Sequence, residues 1–402
     1  MRIIVVGGGL AAASAVDELR SNGHEGTIEV FCAEPHLPYE RPPLSKEVLL
    51  GSAEEQKVFL HDRAWYDERD VVLHLGTPVT GLDLDRHLVV GDGHSVSFDR
   101  LLLATGASPR RLPMADESGA DVAYLRTVED NRRLRDAFAS VGRVVIIGGG
   151  WIGLEVAAAA RNAGVEVTVV EMQDLPLLGV LGPEVARVFA DLHREQGVDL
   201  RLGVGVDGID AGQDGASVVR LADGSALPAD LVVVGIGVQP EVALAREAGL
   251  AVDNGVLVDG WLRTSDPFVF AAGDIAGHDH PVLRRRVRVE HWDNAIHQAR
   301  AAARVMLGGD EPYARLPYFF TDQYDLGMEY VGSFGPDGYD GIVVRGDVEG
   351  RVFSAFWLRG NRVLAGMHVN DWDLIDPIRA IVGREVDRER LADAAVPLDE
   401  VS

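Results

Sequence analysis

Two glycine-rich turns in this chain have the residue types and spacing of dinucleotide-binding sites. The first reads Gly7-x-Gly9-x-x-Ala12, and Glu34 follows about 20 residues later. Gly7 permits a tight turn, Gly9 lets backbone amides approach a pyrophosphate, and the small Ala12 lets a helix pack closely on a strand. The N-terminus of that helix favours the phosphate charge, and the Glu34 carboxylate can accept hydrogen bonds from ribose hydroxyls. This segment therefore predicts one bound dinucleotide.

The second turn is Gly148-x-Gly150-x-x-Gly153, and Glu171 again follows about 20 residues later. A carboxylate at that place binds the ribose diol and repels a 2′-phosphate. The residues directly after Glu171 are Met172-Gln173-Asp174, none of which is basic. We therefore expect NADH rather than NADPH at the second site.

Either turn alone could be a structural feature, because glycine-rich turns occur without ligands. Here both turns combine a preceding strand, a following helix and an acidic residue at the right distance. Two dinucleotides on one chain imply electron transfer between them, and a flavin dinucleotide with a nicotinamide dinucleotide is the obvious pair.

The elements that position these turns form an internal repeat. Each turn is preceded by a continuous apolar strand and followed by a helical pattern and a second strand. These stretches are 3–6, a helix to about Leu19 and 28–32, and then 144–147, a helix to about Ala163 and 167–170. Continuous apolar first strands are typical of parallel sheets covered by helices. Each half then continues into short alternating strands with hairpin turns at Gly91-Asp92-Gly93 and Asp223-Gly224.

The pattern changes after about Pro312. Residues 342–344, 352–357 and 363–368 are typical of antiparallel strands, and a helix is expected near 374–382. We predict an α/β protein with two Rossmann-like nucleotide-binding domains and a C-terminal α+β domain.

The net charge of −25 makes nucleic acid and anionic lipid poor partners, because both are bound by basic surfaces. One local exception is the basic cluster Arg284–Arg288, which is either a solvated strand end or a dock for an acidic partner. No apolar run approaches the roughly 18 residues of a membrane-spanning helix. The N-terminus enters a strand rather than a signal peptide, so we expect a cytoplasmic protein.

The chain has a single cysteine, Cys32, at the end of an apolar strand pattern. One cysteine cannot form a disulfide framework, a Cys-x-x-Cys motif or a cysteine-rich metal site within the chain. We expect Cys32 to be a small core residue and expect no metal site.

Several longer motifs resemble the FAD-dependent NADH:ferredoxin reductases that serve oxygenases, and they occur in the family's order along essentially the whole chain. They are PYERPPLSK (38–46), LATG (103–106), YLRT (124–127), GGGWIGLE (148–155), AGD (272–274), EHWDNA (290–295) and YFFTDQYDL (318–326). The resemblance implies a glutathione-reductase-like fold. In it, residues 1–109 and 238–312 form a discontinuous FAD-binding domain, 110–237 an NAD-binding domain and 313–402 the C-terminal domain.

The resemblance also implies cofactor contacts. Asp274 matches the carboxylate that binds the ribityl chain of FAD, and Trp292 matches a position beside the isoalloxazine, although core packing alone would also explain this tryptophan. The other matched positions are Ala11, Arg41, Lys46, Val79, Ala104, Thr105, Gly106 and Arg126 for FAD, and Ile152 and Gly235 beside the second glycine turn.

By the same resemblance, Lys46 and Glu155 form an ion pair beside the flavin N5, where hydride arrives. On their own, each would be interpreted as a surface charge. A cation there would stabilise negative charge on the flavin. The family often has tryptophan and serine where this chain has Phe320 and Thr321, which removes an indole N–H.

The family function implied is transfer of hydride from NADH to FAD, followed by single-electron transfer to a transiently bound 2Fe–2S ferredoxin that supplies a cytochrome P450 or a ring-hydroxylating dioxygenase. We expect a monomer or a weak dimer. A disulfide reductase or NADH peroxidase needs a redox-active thiol, and 42–46 contains none. A flavin redox sensor similar to apoptosis-inducing factor stays open as the alternative.

Overall fold

The structure, a computed structural model, describes residues 1–212 and 216–401. Its strands alternate with helices in the first two thirds of the chain and are mainly antiparallel in the last third. In chain order the strands are β1 (Ile3–Val6), β2 (Ile28–Phe31), β3 (Val71–His74), β4 (Val79–Asp83), β5 (Leu88–Gly91), β6 (His94–Ser97), β7 (Arg100–Leu103), β8 (Ala107–Pro109), β9 (Val122–Ala123), β10 (Arg143–Ile147), β11 (Glu166–Glu171), β12 (Asp199–Leu202), β13 (Val206–Ala211), β14 (Ser217–Leu221), β15 (Ala226–Ala229), β16 (Leu231–Val234), β17 (Val238–Pro240), β18 (Val252–Asp253), β19 (Gly255–Val258), β20 (Val269–Ala271), β21 (Ala276–His280), β22 (Arg285–Val287), β23 (Tyr318–Gln323), β24 (Leu326–Gly332), β25 (Gly341–Asp347), β26 (Val352–Arg359) and β27 (Arg362–Val369).

The α-helices are α1 (Leu10–Ser21), α2 (Arg63–Asp67), α3 (Pro113–Asp116), α4 (Val128–Phe138), α5 (Trp151–Asn162), α6 (Leu178–Glu195), α7 (Ala243–Glu247), α8 (Trp292–Met306), α9 (Ile375–Ile381) and α10 (Arg388–Ala392). Within the described residues, no helix combines the length and apolar character needed to cross a membrane.

The chain forms two compact units, each assembled from separate stretches of sequence. The first unit comprises Met1–Arg41, Gln56–Ser108 and Gln239–Pro317. The second comprises Pro42–Glu55, Pro109–Val238 and the residues from Tyr318 onward. The predicted FAD- and NAD-binding domains are defined by the ligand that each binds and not by compactness, so their boundaries stay a prediction.

A parallel five-stranded sheet with the order β20-β7-β1-β2-β3 forms the centre of the first unit. Ile3 pairs with Ile28 on one side and with Arg100 on the other. All four residues of β1 are buried, as a strand with both faces covered must be. Beside this sheet, β4-β5-β6 is antiparallel, and its β5–β6 turn has positive φ at both Asp92 (49°) and Gly93 (71°). Two successive positive φ angles are typical of the tight hairpin predicted at this place.

The second unit repeats this plan and adds an antiparallel sheet. Its parallel sheet has the order β12-β11-β10-β16-β9, and the antiparallel β13-β14-β15 accompanies it. The last third of the chain forms the sheet β23-β24-β27-β26-β25, against which α9 packs. The predicted fold class, two Rossmann-like domains with a C-terminal α+β domain, is confirmed.

Helix α6 is kinked near its start. Gly182 has φ 74° inside the helix, and Pro183 follows it. This break frees the carbonyl of Leu181, which accepts a hydrogen bond from Trp357 Nε1 at 3.0 Å. Because a buried carbonyl without a partner is costly, the Trp357 indole stabilises the kink and fixes α6 against the C-terminal sheet.

Candidate functional site

The first glycine turn lies between β1 and α1. Gly7 has φ +132°, and a Cβ atom there would lie 2.1 Å from the Ala104 carbonyl oxygen, so the turn requires glycine. Gly9 is the N-cap of α1 with φ −103° and no side-chain cap. A Cβ on Gly9 would meet nothing within 4 Å. No described neighbour therefore demands glycine at position 9, and the open space at the helix N-terminus fits a pyrophosphate.

The predicted ribose ligand Glu34 is held by two polar side chains in the same unit. Its Oε1 accepts a hydrogen bond from Arg41 Nη2 at 2.7 Å, and its Oε2 accepts one from Tyr39 Oη at 2.5 Å. Arg41 also donates to Tyr39 Oη at 2.9 Å. Each carboxylate oxygen has two lone pairs, so both can also accept from a ribose hydroxyl. Tyr39 was not among the predicted site residues, although its place inside the 38–46 motif was a usable signal.

The carboxyl ends of β1, β7 and β20 meet at one edge of the parallel sheet. Thr105, just after β7, donates through Oγ1 to the Glu241 carbonyl at 3.0 Å. The carbonyl of Asp274, just after β20, accepts from Arg288 Nη1 at 3.0 Å. The structure thus brings the predicted residues Gly7, Ala104, Thr105, Gly106 and Asp274 to the edge where ligands bind in α/β sheets.

The remaining predicted FAD contacts of the first unit lie around this edge. Ala11 is on α1, and a Cβ on Gly273 would lie 3.3 Å from the Ala11 Cβ. Val79 begins β4, and Trp292 begins α8 directly after its N-cap His291. Burial lowers the pKa of His291 to about 4, against the opposing effect of Asp274 and Asp293, so this imidazole is neutral at pH 7.

The second glycine turn has the same geometry as the first. Gly148 has φ +110°, and a Cβ there would lie 2.4 Å from the Gly235 carbonyl oxygen. A Cβ on Gly153 would lie 2.1 Å from the Gly148 carbonyl oxygen, so helix and turn are in contact. Gly150 is the N-cap of α5 with φ −81°, and it again has open space at its Cβ position. Ile152, in the first turn of α5, is 41% exposed and available to a ligand.

Glu171, at the end of β11, is fixed beside this turn by backbone amides. The Gly149 N–H donates to Oε2 at 2.7 Å, and the Gln173 N–H donates to Oε1 at 2.9 Å. These hydrogen bonds fix the carboxylate in place, and its remaining lone pairs can accept from a ribose diol. The geometry is that of a nucleotide cradle with an acidic ribose ligand.

Lys46 and Glu155 are brought together in the second unit. Helix α5 places Glu155 on its buried side, 4% exposed, and Lys46 Nζ lies 2.9 Å from Glu155 Oε1. Ser45 Oγ donates to Oε2 at 2.5 Å, and Thr321 Oγ1 donates to Oε1 at 2.6 Å. Lys46 Nζ also lies 5.2 Å from the centre of the Phe320 ring, within range of a cation–π interaction.

Ser45 and the Thr321 hydroxyl were not among the predicted site groups. Both residues stand inside motifs quoted for the family, but nothing local indicates that their hydroxyl groups converge on Glu155. A buried carboxylate requires several donors, and that general requirement is the only sequence-level signal for them.

The segment that carries Lys46 is held by α4. Asn131 Nδ2 donates to the Leu44 carbonyl at 2.7 Å, and Arg132 forms a bidentate ion pair with Glu55. The predicted FAD contact Arg126 precedes this helix, and its backbone N–H donates to Asp130 at 2.9 Å. Lys46 and Arg126 therefore lie in the second unit, whereas the other predicted FAD contacts lie in the first.

The basic cluster Arg284–Arg288 is partly neutralised within the first unit. Arg286 pairs with Asp279 at 2.6 Å, and Arg288 pairs with Glu290 at 2.5 Å. The Arg288 side chain is only 8% exposed. The strand end is therefore less basic than its sequence indicates.

Cys32 is fully buried, as predicted for a core residue. Burial raises the pKa of its thiol to about 12, and Glu34 adds to the effect, so no thiolate forms near neutral pH. Across residues 1–212 and 216–401, no group of three or more His, Cys, Asp or Glu side chains could hold a metal ion.

Residues 1–299 match the family described as pyridine nucleotide-disulphide oxidoreductase, and residues 318–402 match the family described as reductase C-terminal. The chain belongs to the pyridine nucleotide-disulphide oxidoreductase family. It is a flavin-dependent oxidoreductase whose cofactors are FAD and NADH, as predicted, and the two glycine cradles fit these dinucleotides.

Two curated relatives are similar over nearly their full length. Putidaredoxin reductase CamA of Pseudomonas putida is 40% identical over 99% of this chain and 96% of the relative. The ferredoxin–NAD(+) reductase component of the anthranilate 1,2-dioxygenase system of Burkholderia cepacia is 41% identical over 98% of each chain. The crystal structure of the covalent putidaredoxin reductase–putidaredoxin complex is also similar, with a TM-score of 0.94, 39% identity, and coverage of 100% of this chain and 97% of that chain. The family resemblance drawn from the motifs is confirmed.

Proposed function

We propose that this protein is an NADH-dependent ferredoxin reductase, which passes single electrons to a 2Fe–2S ferredoxin that serves a cytochrome P450 or a ring-hydroxylating dioxygenase. The observation that carries the proposal is the pair of glycine cradles, each with an open helix N-terminus and a carboxylate at the ribose position. Relatives named as reductases of putidaredoxin and of a dioxygenase system support the ferredoxin as acceptor.

FAD supplies the redox chemistry when bound, because it accepts hydride and releases its electrons one at a time. In the first unit, Gly7 and Gly9 admit its pyrophosphate, Glu34 binds a ribose, and Asp274 binds the ribityl chain. In the second unit, the amides at Gly150 hold the pyrophosphate of NADH and Glu171 binds its ribose. We assign the FAD-binding domain to 1–109 and 238–312, and the NAD-binding domain to 110–237.

We assign Lys46 and Glu155 the role of charge stabilisation during hydride transfer. The Lys46 ammonium is desolvated, with a side chain only 10% exposed, so its charge acts more strongly than it would in water. Glu155, Ser45 and Thr321 hold that charge in one place. The Lys46→Ala and Glu155→Ala variants should each slow flavin reduction by NADH, and an unchanged, wild-type rate in both variants would contradict this role.

A disulfide-reductase mechanism finds no support, because the single cysteine is buried with a raised thiol pKa. The flavin redox sensor remains the second candidate, since it would use the same two cofactors. Anaerobic stopped-flow mixing with NADH, followed by ferredoxin-dependent reduction of cytochrome c, separates the two functions. Rapid turnover is expected; a flavin that stays reduced in air and ignores ferredoxin would indicate the sensor.

For the ferredoxin dock we propose the exposed part of the basic cluster, because ferredoxins are typically acidic. Arg284 is exposed, whereas Arg286 and Arg288 already pair with acidic neighbours. Charge reversal at Arg284 should raise the ferredoxin KM while leaving reduction of a small dye unchanged. Unaltered ferredoxin kinetics would refute this dock. We also propose a cytoplasmic location, where NADH is available, which cell fractionation can test.

A further inference from the structure

A buried chain of polar side chains leads away from Glu155 into the second unit. Thr321 Oγ1 lies 2.6 Å from Glu155 Oε1, and Gln323 Nε2 lies 3.2 Å from Thr321 Oγ1. Gln323 Oε1 lies 2.9 Å from His193 Nε2. Helix α6 carries His193, and β23 carries Thr321 and Gln323. The chain thus connects Glu155 to a histidine that the proposed mechanism does not use.

Each member of this chain is shielded from water. Thr321 and Gln323 are 1% exposed and His193 is 0% exposed. Phe189 of α6 and Phe319 of β23 belong to a buried apolar cluster of the same two elements, and the His193 ring lies 5.3 Å from the Tyr324 ring. An unpaired polar group in such an environment is costly, so each donor and acceptor of these side chains needs a partner.

The donor and acceptor roles follow from the carboxylate outward. An ionised Glu155 can only accept, so Thr321 must donate its proton to it. The Thr321 oxygen then accepts from the Gln323 amide N–H, which turns the Gln323 carbonyl toward His193. That carbonyl can only accept, so neutral His193 must carry its proton on Nε2. Every donor in the chain therefore points toward Glu155.

The His193 end of these hydrogen-bonded side chains is consistent with donation toward Glu155. Burial lowers the pKa of His193 to about 4, so the ring is neutral at pH 7. Among the described residues, His193 Nδ1 is a buried atom with no hydrogen-bond partner. An unprotonated ring nitrogen tolerates the lack of a partner better than a buried N–H would. The proton on Nε2 is thus favoured from both sides.

We propose that Gln323 and His193 are positioning residues for the Lys46–Glu155 pair, because they fix the Thr321 hydroxyl as a donor to Glu155. This inference rests on the proposed function only for the consequence on hydride transfer. The direction of the hydrogen bonds, and hence the tautomer of His193, follows from the geometry with Glu155 ionised and His193 neutral, and it does not depend on hydride transfer.

The tautomer gives a test that does not depend on activity. In ¹⁵N-labelled holoenzyme, long-range ¹H–¹⁵N spectra report which nitrogen of His193 carries the proton, and the His193→Gln variant assigns the signal. We expect the Nε2–H form in the wild type and in Thr321→Ser, which keeps the hydroxyl. Thr321→Val keeps the side-chain shape but removes the oxygen that accepts from Gln323. The Gln323 side-chain amide can then rotate by about 180°, and we expect a mixture of the two His193 tautomers.

The Nδ1–H form in the wild type, or identical His193 signals in Thr321→Val and Thr321→Ser, would overturn the inference. Stopped-flow kinetics adds the functional arm. Gln323→Leu should lower the limiting rate of flavin reduction about three- to tenfold, the effect of one hydrogen bond, with NADH affinity unchanged. It should add little in a Thr321→Val background.

The positioning role of Gln323 and the proposed role of the Lys46–Glu155 pair can fail separately. If Glu155→Ala slows flavin reduction but Gln323→Leu does not, the positioning role is wrong and the proposed function stands. If Glu155→Ala itself has no effect, the assigned role of the ion pair fails. The His193 tautomer then decides alone whether Thr321 and Gln323 are coupled as inferred.

Discussion

Replacing Gly150 with alanine tests whether this glycine is required for the fold or for binding of a ligand. Within the described part of the chain, Gly9 and Gly150 are the glycines that combine an ordinary negative φ with open space at the Cβ position. A methyl group on Gly150 meets no protein atom within 4 Å. Alanine is a poorer N-cap than glycine, which lowers the stability of the folded protein by about 0.5 to 1 kcal/mol. Alanine also restricts the unfolded chain, which raises the stability of the folded protein by about 0.4 to 1 kcal/mol. The free energy of unfolding should therefore change by less than about 1 kcal/mol.

The effect on NADH should be much larger. The added methyl would occupy the space that we assign to the pyrophosphate and push it away from the amides at the N-terminus of α5. A lost hydrogen bond to a charged group corresponds to about 1.5 to 3 kcal/mol. That loss weakens NADH binding about ten- to a hundredfold. FAD content should be unchanged, because the first cradle is untouched.

The assay is a titration of holoenzyme with NAD⁺ or NADH by flavin absorbance, beside urea unfolding of the same preparations. Gly164→Ala is the matched control, since Gly164 also has open space but has φ +84°, just after the end of α5. It should lose about 1 to 2 kcal/mol of stability and keep its NADH affinity. Wild-type NADH affinity in Gly150→Ala would refute the assignment of this cradle.

Three further predictions follow from the same geometry. Glu171→Gln removes the charge that repels a 2′-phosphate, so the kcat/KM preference for NADH over NADPH should fall about tenfold or more, equivalent to about 1.4 kcal/mol; an unchanged ratio would mean that Glu171 does not contact the ribose. Cys32→Ala should retain full ferredoxin reduction, and the native thiol should react with a thiol reagent only after unfolding; loss of turnover in the variant would restore a thiol mechanism. His193 has a folded pKa of about 4 against 6.5 when unfolded, so its contribution to stability is fully present above about pH 6.5 and is lost as the pH falls toward 4. Urea unfolding should show a loss of stability over that range that is larger in the wild type than in His193→Phe by up to about 3 kcal/mol; equal losses would contradict the assignment.

The parallel sheets and their glycine turns could be predicted from sequence because the rules that produce them are local. A buried strand, a turn that only glycine can adopt and a following helix are contiguous, and each leaves its mark on neighbouring residues. The hairpin turn at Asp92 and Gly93 is equally local, and both residues have the expected positive φ.

Strand β23 shows why part of the site could not be predicted. Its inward face carries Phe319, Thr321 and Gln323, so two of three buried positions are polar, while the aromatic Phe320 points to the other face. The alternation of apolar and polar residues does not predict which face of β23 is buried, because the buried polar side chains form hydrogen bonds with Glu155 and His193. Those partners are far away in sequence, and no local period encodes their meeting.

The order in which the chain supplies the two units has a consequence for how the protein is made. The first unit needs residues up to Pro317, and the second needs both Pro42–Glu55 and the residues from Tyr318 onward. Neither can be complete when only the first half of the polypeptide has emerged from the ribosome. A fragment that ends within the first half of the chain lacks part of both units, so it should be insoluble rather than a minimal nucleotide-binding module.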